Sequence, residues 1–372
     1  MASPRHVYIH VPFCARRCSY CDFSIAVRRD VPVADYLDSL AAELSLRFGD
    51  ERHEVDTIYF GGGTPSRLGG EGLARALGLV TRNFIPVGNA EITAEANPDD
   101  MQPDALRAWR TAGINRLSVG AQSFDDRVLT WMHRTHDAVA TERAVADARA
   151  AGIDNLSLDL IFALPDTLER HFERDVERLL ALAPDHVSLY GLTVEPATPL
   201  GRWVAAGRER EQPEEGYERD YEAAHRMLTS AGFEHYEVSN YARPGRRARH
   251  NSAYWAAVPY VGLGPSAHEF DGTVRRWNAR AWSEWSRRLA AAEDPVDGSE
   301  LLTDENRIAE AVYLGLRSDA GLTLDADEAE FVQPWVEAGW VEIGLDGKLR
   351  CTATGWLRLD ALAAALTHRR SR

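Results

Sequence analysis

VYIHVPFCARRCSYC, residues 7 to 21, is a short apolar segment that runs straight into three cysteines. Val7–Pro12 is rich in β-branched and aromatic residues and ends at a proline, the pattern of a strand. Cys14, Cys18 and Cys21 then fall on the loop at its end. The chain has four cysteines in 372 residues, and the fourth, Cys351, is far away. A disulfide framework spreads its cysteines to close loops, whereas a metal site gathers them. Thiols crowded on an accessible loop would also oxidise readily. The triplet therefore predicts a metal site in a reducing cytosol. Three thiolates on one short loop can each take one iron of a cubane cluster, and with no fourth cysteine nearby one iron stays open to a ligand. These residues also allow a zinc site of three cysteines and either His6 or His10.

Outward from that loop, strand-like and helix-like segments alternate. Strands are predicted at Val7–Pro12, Thr57–Phe60, Glu91–Ala96, Arg116–Ala121, Asn155–Phe162 and Val187–Val194. Each is short, rich in Val, Ile, Leu or Tyr, and bounded by turn residues. Between them, Leu37, Leu40, Ala41, Leu44 and Phe48 recur at the spacing of one helix face. Leu168, Phe172, Val176 and Leu179 repeat it, with Asp166 or Thr167 as the cap. Such alternation implies a parallel sheet with right-handed crossovers. Six units make about three-quarters of a β/α barrel, or an open α/β sheet, with the chemistry at the strands' C-terminal ends.

Composition limits the rest. Hydrophobic residues make up 45% and charged residues 27%, an ordinary globular profile. At roughly 150 residues per domain the length predicts two or three units, drawn here as 1–200, 201–300 and 301–372. Eight of the ten tryptophans lie beyond residue 200. Trp277, Trp282, Trp285, Trp335 and Trp340 are expected to pack that half. A helix is expected over Tyr217–Ala231 and a loop over Asn240–Tyr254. From Leu301 the order helix, helix, turn at Asp346–Gly347, strand, helix predicts a small α+β, winged-helix-like module. Lys plus Arg is 42 against 57 Asp plus Glu, a net charge of −15. That balance argues against a nucleic-acid binder, whose surface would be basic, while leaving room for a local basic pocket. Only Lys348 is a lysine, and arginine suits planar anions. No secretory leader and no membrane-spanning run of 18 apolar residues is expected, which leaves peripheral membrane contact open.

Further residues fall at strand ends in the same half. Gly61-Gly62-Gly63-Thr64-Pro65 follows the second strand, where glycines let a ligand approach the backbone closely. Glu95, Gln122, Arg134 and Asp159 end or follow the later strands. An acid inside a run as apolar as Leu158–Leu164 is costly to bury unpaired. A local arginine would be its ordinary partner.

The CxxxCxYC loop after a first strand resembles the signature of the radical S-adenosylmethionine (SAM) superfamily. Residues 5–200 resemble its coproporphyrinogen-oxidase-like branch. That resemblance implies a partial (β/α)6 barrel and a three-cysteine [4Fe–4S] cluster on Cys14, Cys18 and Cys21. It implies SAM on the open iron, cleaved reductively to a 5′-deoxyadenosyl radical. It assigns Tyr8, Tyr20, Gly62, Gly63, Thr64, Glu95, Gln122, Arg134 and Asp159 to SAM. Glu95 and Asp159 would meet ribose or amino groups and Arg134 the methionyl carboxylate.

Two activities divide the branch. The oxygen-independent coproporphyrinogen III dehydrogenases carry a further cysteine two residues past the third, and a long segment ahead of the cluster. Here the corresponding position is Phe23, and the first cluster cysteine is already Cys14. His250-Asn251-Ser252-Ala253-Tyr254-Trp255 offers an imidazole beside two large aromatics, with Arg246, Arg247 and Arg249 just upstream. Guanidinium groups pair well with carboxylates such as haem propionates. On the residues alone, a buried loop anchored by Tyr and Trp is the plainer alternative. The segment resembles the HNxxYW haem-binding motif of HemW-type haem chaperones, which implies haem at His250, Asn251, Tyr254 and Trp255. The resemblance further implies an acceptor apoprotein of respiratory or haem-storage type. The dehydrogenase activity is the alternative.

Overall fold

The computed structural model describes residues 4–371. The six strands expected in the first half are β1 (His6–Val11), β2 (His53–Gly62), β3 (Phe84–Ala96), β4 (Arg116–Gln122), β5 (Asn155–Phe162) and β6 (His186–Gly191). They lie side by side, parallel and in chain order. Parallel neighbours cannot be joined by a hairpin, so helices carry the crossovers. These are α1 (Val33–Phe48), α2 (Gly69–Val80), α3 (Pro103–Ala112), α4 (Ala138–Ala150) and α5 (Phe172–Ala181). α1 buries Leu37, Leu40 and Leu44, the face its spacing announces. Val7, Ile9, Val11, Ile58, Phe60, Leu117 and Leu158 are fully buried in the strands, as both covered faces of a parallel sheet require. Burial stabilises each such side chain by about 1.5–3 kcal/mol.

Past residue 200, beyond helix α6 (Glu214–Ser230), the sheet continues. It gains β7 (Glu234–Glu237), β8 (Asn240–Ala242) and β9 (Val261–Leu263), giving the order β9-β1-β2-β3-β4-β5-β6-β8-β7. β9 joins β1 in parallel, while β8 runs antiparallel to β6. The two end strands do not pair with each other, which makes this an incomplete barrel.

Two local expectations fail. The stretch Asn240–Tyr254 is not a loop, since it contains β8 and the helix α7 (Arg249–Trp255). Leu168 lies outside α5. A 3₁₀ turn at Asp166–Leu168 ends at Glu169, whose φ of 46° is left-handed, and Arg170 folds back onto Asp175 at 2.6 Å. The helix therefore begins at Phe172, and neither Asp166 nor Thr167 caps it.

Beyond the barrel, α8 (Trp282–Ala290) packs on α1. Trp282 meets Phe13 edge-on at 5.3 Å, and the indole of Trp285 donates to Glu43 at 3.1 Å. Helices Asp304–Arg317 and Glu328–Glu337 precede strands Val341–Ile343 and Lys348–Cys351 and a last helix, Leu359–Arg370. Among the described residues no helix is long and apolar enough to cross a membrane.

Candidate functional site

The C-terminal ends of the parallel strands surround a cavity of about 440 Å³, within the usual size of ligand pockets. Cys14, Cys18, Tyr20 and Cys21 wall it from the loop after β1, and Gly62, Gly63 and Thr64 from the end of β2. Glu95 comes from β3, Gln122 from β4, Arg134 from the segment beyond it, and Asp159 from β5. Tyr8 alone of the SAM-assigned residues does not line it. Its hydroxyl donates to His10 Nδ1 at 3.0 Å, and its ring stacks on Tyr59 at 6.2 Å. Cys351 is buried at the end of a strand in the last module and does not line the cavity.

The glycines are there because the chain passes too close for side chains. Gly62 has φ of 108°, and a Cβ there would sit 2.5 Å from the His10 ring. A Cβ on Gly63 would sit 2.6 Å from the Pro12 carbonyl. This bare backbone faces the cysteine loop. Thr64 Oγ1 lies 3.4 Å from Cys14 Sγ. Burial pushes the Cys14 thiol up to about 11, against the lowering effect of the Thr64 hydroxyl.

Arg134 is fixed by two acceptors, Asn97 Oδ1 at 2.6 Å and the Gly120 carbonyl at 2.9 Å. Its Nη1 lies 3.6 Å from Cys18 Sγ, where a guanidinium favours a thiolate. Among the described residues its Nε has no partner, nor does Oε1 of Gln122, a buried atom on a residue held at φ 65°. Unpaired buried polar atoms on a cavity wall fit a polar ligand. Among the described residues no three His, Cys, Asp or Glu side chains close on a single ion. A cubane instead presents a separate iron to each thiolate. The donor set fits such a cluster.

Two carboxylates face the same space. Glu95 accepts from the Tyr59 hydroxyl at 2.8 Å and the Gly62 amide at 3.1 Å. Burial, opposed by the Tyr59 hydrogen bond, raises its pKa to about 7. Asp159 accepts from Ser118 at 3.1 Å and lies 3.4 Å from Ser157; burial raises it to about 6. Among the described residues no arginine bonds it directly, so the alternative of an ion pair gives way to serines. Both values lie above those of free carboxylates, so these two groups hold more protons in the folded chain than in the unfolded one between pH 4 and 7. Their contribution to stability is present below pH 4 and is lost as pH rises through 6 to 7. A cationic ligand would offset that loss.

The HNSAYW segment lies elsewhere. α7 sits against the start of β2, away from the cysteine end. The amides of Arg249 and His250 donate to the Glu91 carboxylate, which caps the helix. His250 is 1% exposed. Its Nδ1 lies 2.6 Å from Thr57 Oγ1 and its Nε2 2.8 Å from the Tyr254 hydroxyl. Burial lowers its pKa to about 3, so the ring is neutral. Asn251 is half-buried on the same helix, and Trp255 lies under the Arg317 guanidinium at 4.1 Å. The upstream arginines are not free to meet propionates. Arg246 pairs with Asp185, Arg247 with Asp319 and Glu234, and Arg249 with Asp56.

Asn97, Ser118 and Tyr190 also line the cavity, and sequence reasoning missed them. A signal existed for the serines. Ser118 opposes Ser157 and Ser188 opposes Asp159 across neighbouring strands, each a small polar residue in an apolar run.

A family model described as the Radical SAM superfamily matches residues 8–179, the stretch that builds most of this cavity. The cysteine cavity is thus that of a radical SAM domain. Heme chaperone HemW of Mycobacterium tuberculosis is 38% identical over 370 residues, 98% of this chain and 95% of that protein. Heme chaperone HemW of Bacillus subtilis is 34% identical over 86% of this chain and 85% of its own. The chain belongs to the HemW family of haem chaperones. Coproporphyrinogen III oxidase HemN from Escherichia coli superposes with a TM-score of 0.82 over 98% of this chain and 90% of that chain. At 22% identity that likeness is one of fold.

Proposed function

We propose that this protein carries haem to acceptor apoproteins and uses a [4Fe–4S] cluster and SAM in doing so. One observation carries the proposal: in a chain of this family, three cysteines, a glycine-bared strand end and two half-buried carboxylates face a single cavity. Cys14, Cys18 and Cys21 would hold the cluster. When bound, it supplies one-electron reduction and an open iron for the amino and carboxylate groups of SAM. Arg134, already oriented by Asn97 and Gly120, would meet the methionyl carboxylate. Gly62, Gly63 and Thr64 would border the amino group, and Glu95 and Asp159 the ribose or amino groups. Gln122 Oε1 and Tyr20 complete the wall, with Tyr8 supporting it from behind.

Glu95 and Asp159 would have to lose their protons to meet a cationic ligand. SAM affinity is therefore expected to rise from pH 5 to pH 8 and level off above about 7. Each protonated carboxylate weakens binding by up to about tenfold per pH unit. Calorimetric titration across that range checks it, and Glu95→Gln should flatten the upper part of the rise.

His250, Asn251, Tyr254 and Trp255 are proposed as the segment on which haem binding depends. A neutral imidazole is the ligating form, and the Tyr254 hydroxyl would have to leave Nε2 before iron could take its place. The acceptor would be a respiratory or haem-storage apoprotein, met in the cytoplasm, with membrane contact at most peripheral. The test is anaerobic reconstitution followed by titration with haem, beside an assay with coproporphyrinogen III, SAM and a reductant. Haem should give a saturating spectral change that His250→Ala weakens by about tenfold or more, and no decarboxylated porphyrinogen should form. Absence of haem binding, or formation of that product, defeats the proposal.

A further inference from the structure

Strand β2 touches both of the sites described above. Thr57, Tyr59 and Gly61 alternate along it, so they face the same side of the sheet. Thr57 Oγ1 meets His250 Nδ1. Two residues on, the Tyr59 ring stacks on the His250 imidazole, with centroids 5.1 Å apart and planes 23° from parallel. The hydroxyl at the far end of that ring donates to Glu95 Oε1 at 2.8 Å. Glu95 lines the SAM cavity, whereas His250 belongs to the helix on which haem binding is proposed to depend. One side chain therefore reaches from the first site to the second. Gly61 leaves room for it: a Cβ there would sit 2.8 Å from the Tyr59 ring and 3.1 Å from Glu95 Oε1. The Tyr8 ring flanks both Tyr59 and His250, at 6.2 and 6.5 Å.

We infer that Tyr59 is a positioning residue that couples SAM occupancy to haem binding at His250. The inference rests on the proposed function and adds a regulation to it. Oε2 of Glu95 already accepts from the Gly62 amide, so an ammonium or ribose hydroxyl arriving at this carboxylate competes with Tyr59 for Oε1. Without that acceptor the tyrosine is held by stacking alone, and its ring is free to tilt. His250 needs such slack. Its Nδ1 is engaged by Thr57 and its Nε2 by the Tyr254 hydroxyl, and a ring pinned across its face resists its turning toward iron. A ligand shifts an equilibrium only through contacts that differ between the two states, and here the differing contact is the one to Glu95. SAM then favours the haem-accepting arrangement, and by reciprocity haem tightens SAM binding by the same factor. Asp159 offers a longer line to the same helix, through Ser157 at 3.4 Å, His186 and Tyr236 to the Ala248 amide. The first contact of that line is long and weak, which leaves Tyr59 as the tighter bridge.

The test uses the anaerobically reconstituted full chain with ferric haem and no reductant, so that SAM stays intact. Haem is titrated with and without saturating SAM and read by its absorbance. SAM should tighten haem binding by about fivefold or more, and calorimetric titration of SAM with and without haem should return the same factor. These two measurements on the parent chain need no variant to fold. Tyr59→Phe keeps the ring on His250 and removes only the hydroxyl. In that variant haem alone should bind about as tightly as it binds the SAM-loaded parent, and SAM should add nothing. A merely structural role for Tyr59 would shift both haem titrations together and leave their ratio as it was. Equal haem affinity with and without SAM in the parent overturns the coupling while leaving haem carriage intact. A SAM effect undiminished in Tyr59→Phe also overturns the inference, by moving the coupling to the line through His186. A parent chain that binds no haem removes the coupling and the proposed function together.

Discussion

Alanine at Cys14, Cys18 or Cys21 is expected to abolish uptake of iron and sulfide on anaerobic reconstitution, where the parent chain should take roughly four irons. The three variants should fail alike. Each thiolate would hold a different iron, so none could be replaced by its neighbours. Cys351→Ala is the control. It is buried at the end of a strand in the last module, does not line the cavity, and its loss should leave iron uptake unchanged. The same experiment decides against zinc, which would bind without sulfide. A zinc site would also need a histidine, and the candidates are engaged elsewhere. His10 lies 3.2 Å from the Ser24 carbonyl through Nε2 and accepts from Tyr8 at Nδ1, while His6 is bonded to Thr57. Iron and sulfide retained in any of the three cysteine variants would overturn the assignment of the loop.

That loop was legible because its information is local. Three cysteines within eight positions, after a buried strand, need no distant partner to be recognised. The six parallel strands were legible for a related reason. Strands covered on both faces read as unbroken apolar runs, and Asn155–Phe162 emerges with the bounds that its residues suggest. What could not be read was set by contacts far along the chain. α7 resembles a loop in sequence because it lacks a local cap; its capping carboxylate, Glu91, is 158 residues away from Arg249. The arginines before it invite an anionic ligand until Asp185, Asp319 and Asp56 are found against them. Asp159 allowed a local arginine as its partner, and only the strand register shows that serines fill that place. Leu168 kept the helical spacing but not the helix, since a left-handed residue and an Arg170–Asp175 pair intervene.

The largest loss of stability is expected from Glu43→Leu. Glu43 sits on α1 with no exposed surface, and four donors converge on its carboxylate. The Gly264 amide and the Trp285 indole reach one oxygen at 2.8 and 3.1 Å; Asn278 and Arg47 reach the other at 2.7 and 3.0 Å. Burial raises its pKa, and the Arg47 charge with the Gly264, Asn278 and Arg47 hydrogen bonds opposes that rise. Three of the four donors lie more than 200 residues along the chain, so one side chain ties a barrel helix to everything between β9 and α8. Leucine would fill the volume but accept nothing. Arg47 would keep Glu269, but the Gly264, Asn278 and Trp285 donors would be stranded in the interior. Removing one partner from such a buried charged network costs about 3–5 kcal/mol, whereas Glu54→Leu at an exposed position should stay within about 0.5 kcal/mol. Urea denaturation followed by tryptophan fluorescence reads the difference directly, because Trp282 and Trp285 lie at this seam. Glu43→Gln, which keeps one acceptor, should fall between the two. If Glu43→Leu unfolds at the parent midpoint, then packing of α8 on α1 holds the seam unaided, and the carboxylate is incidental to it.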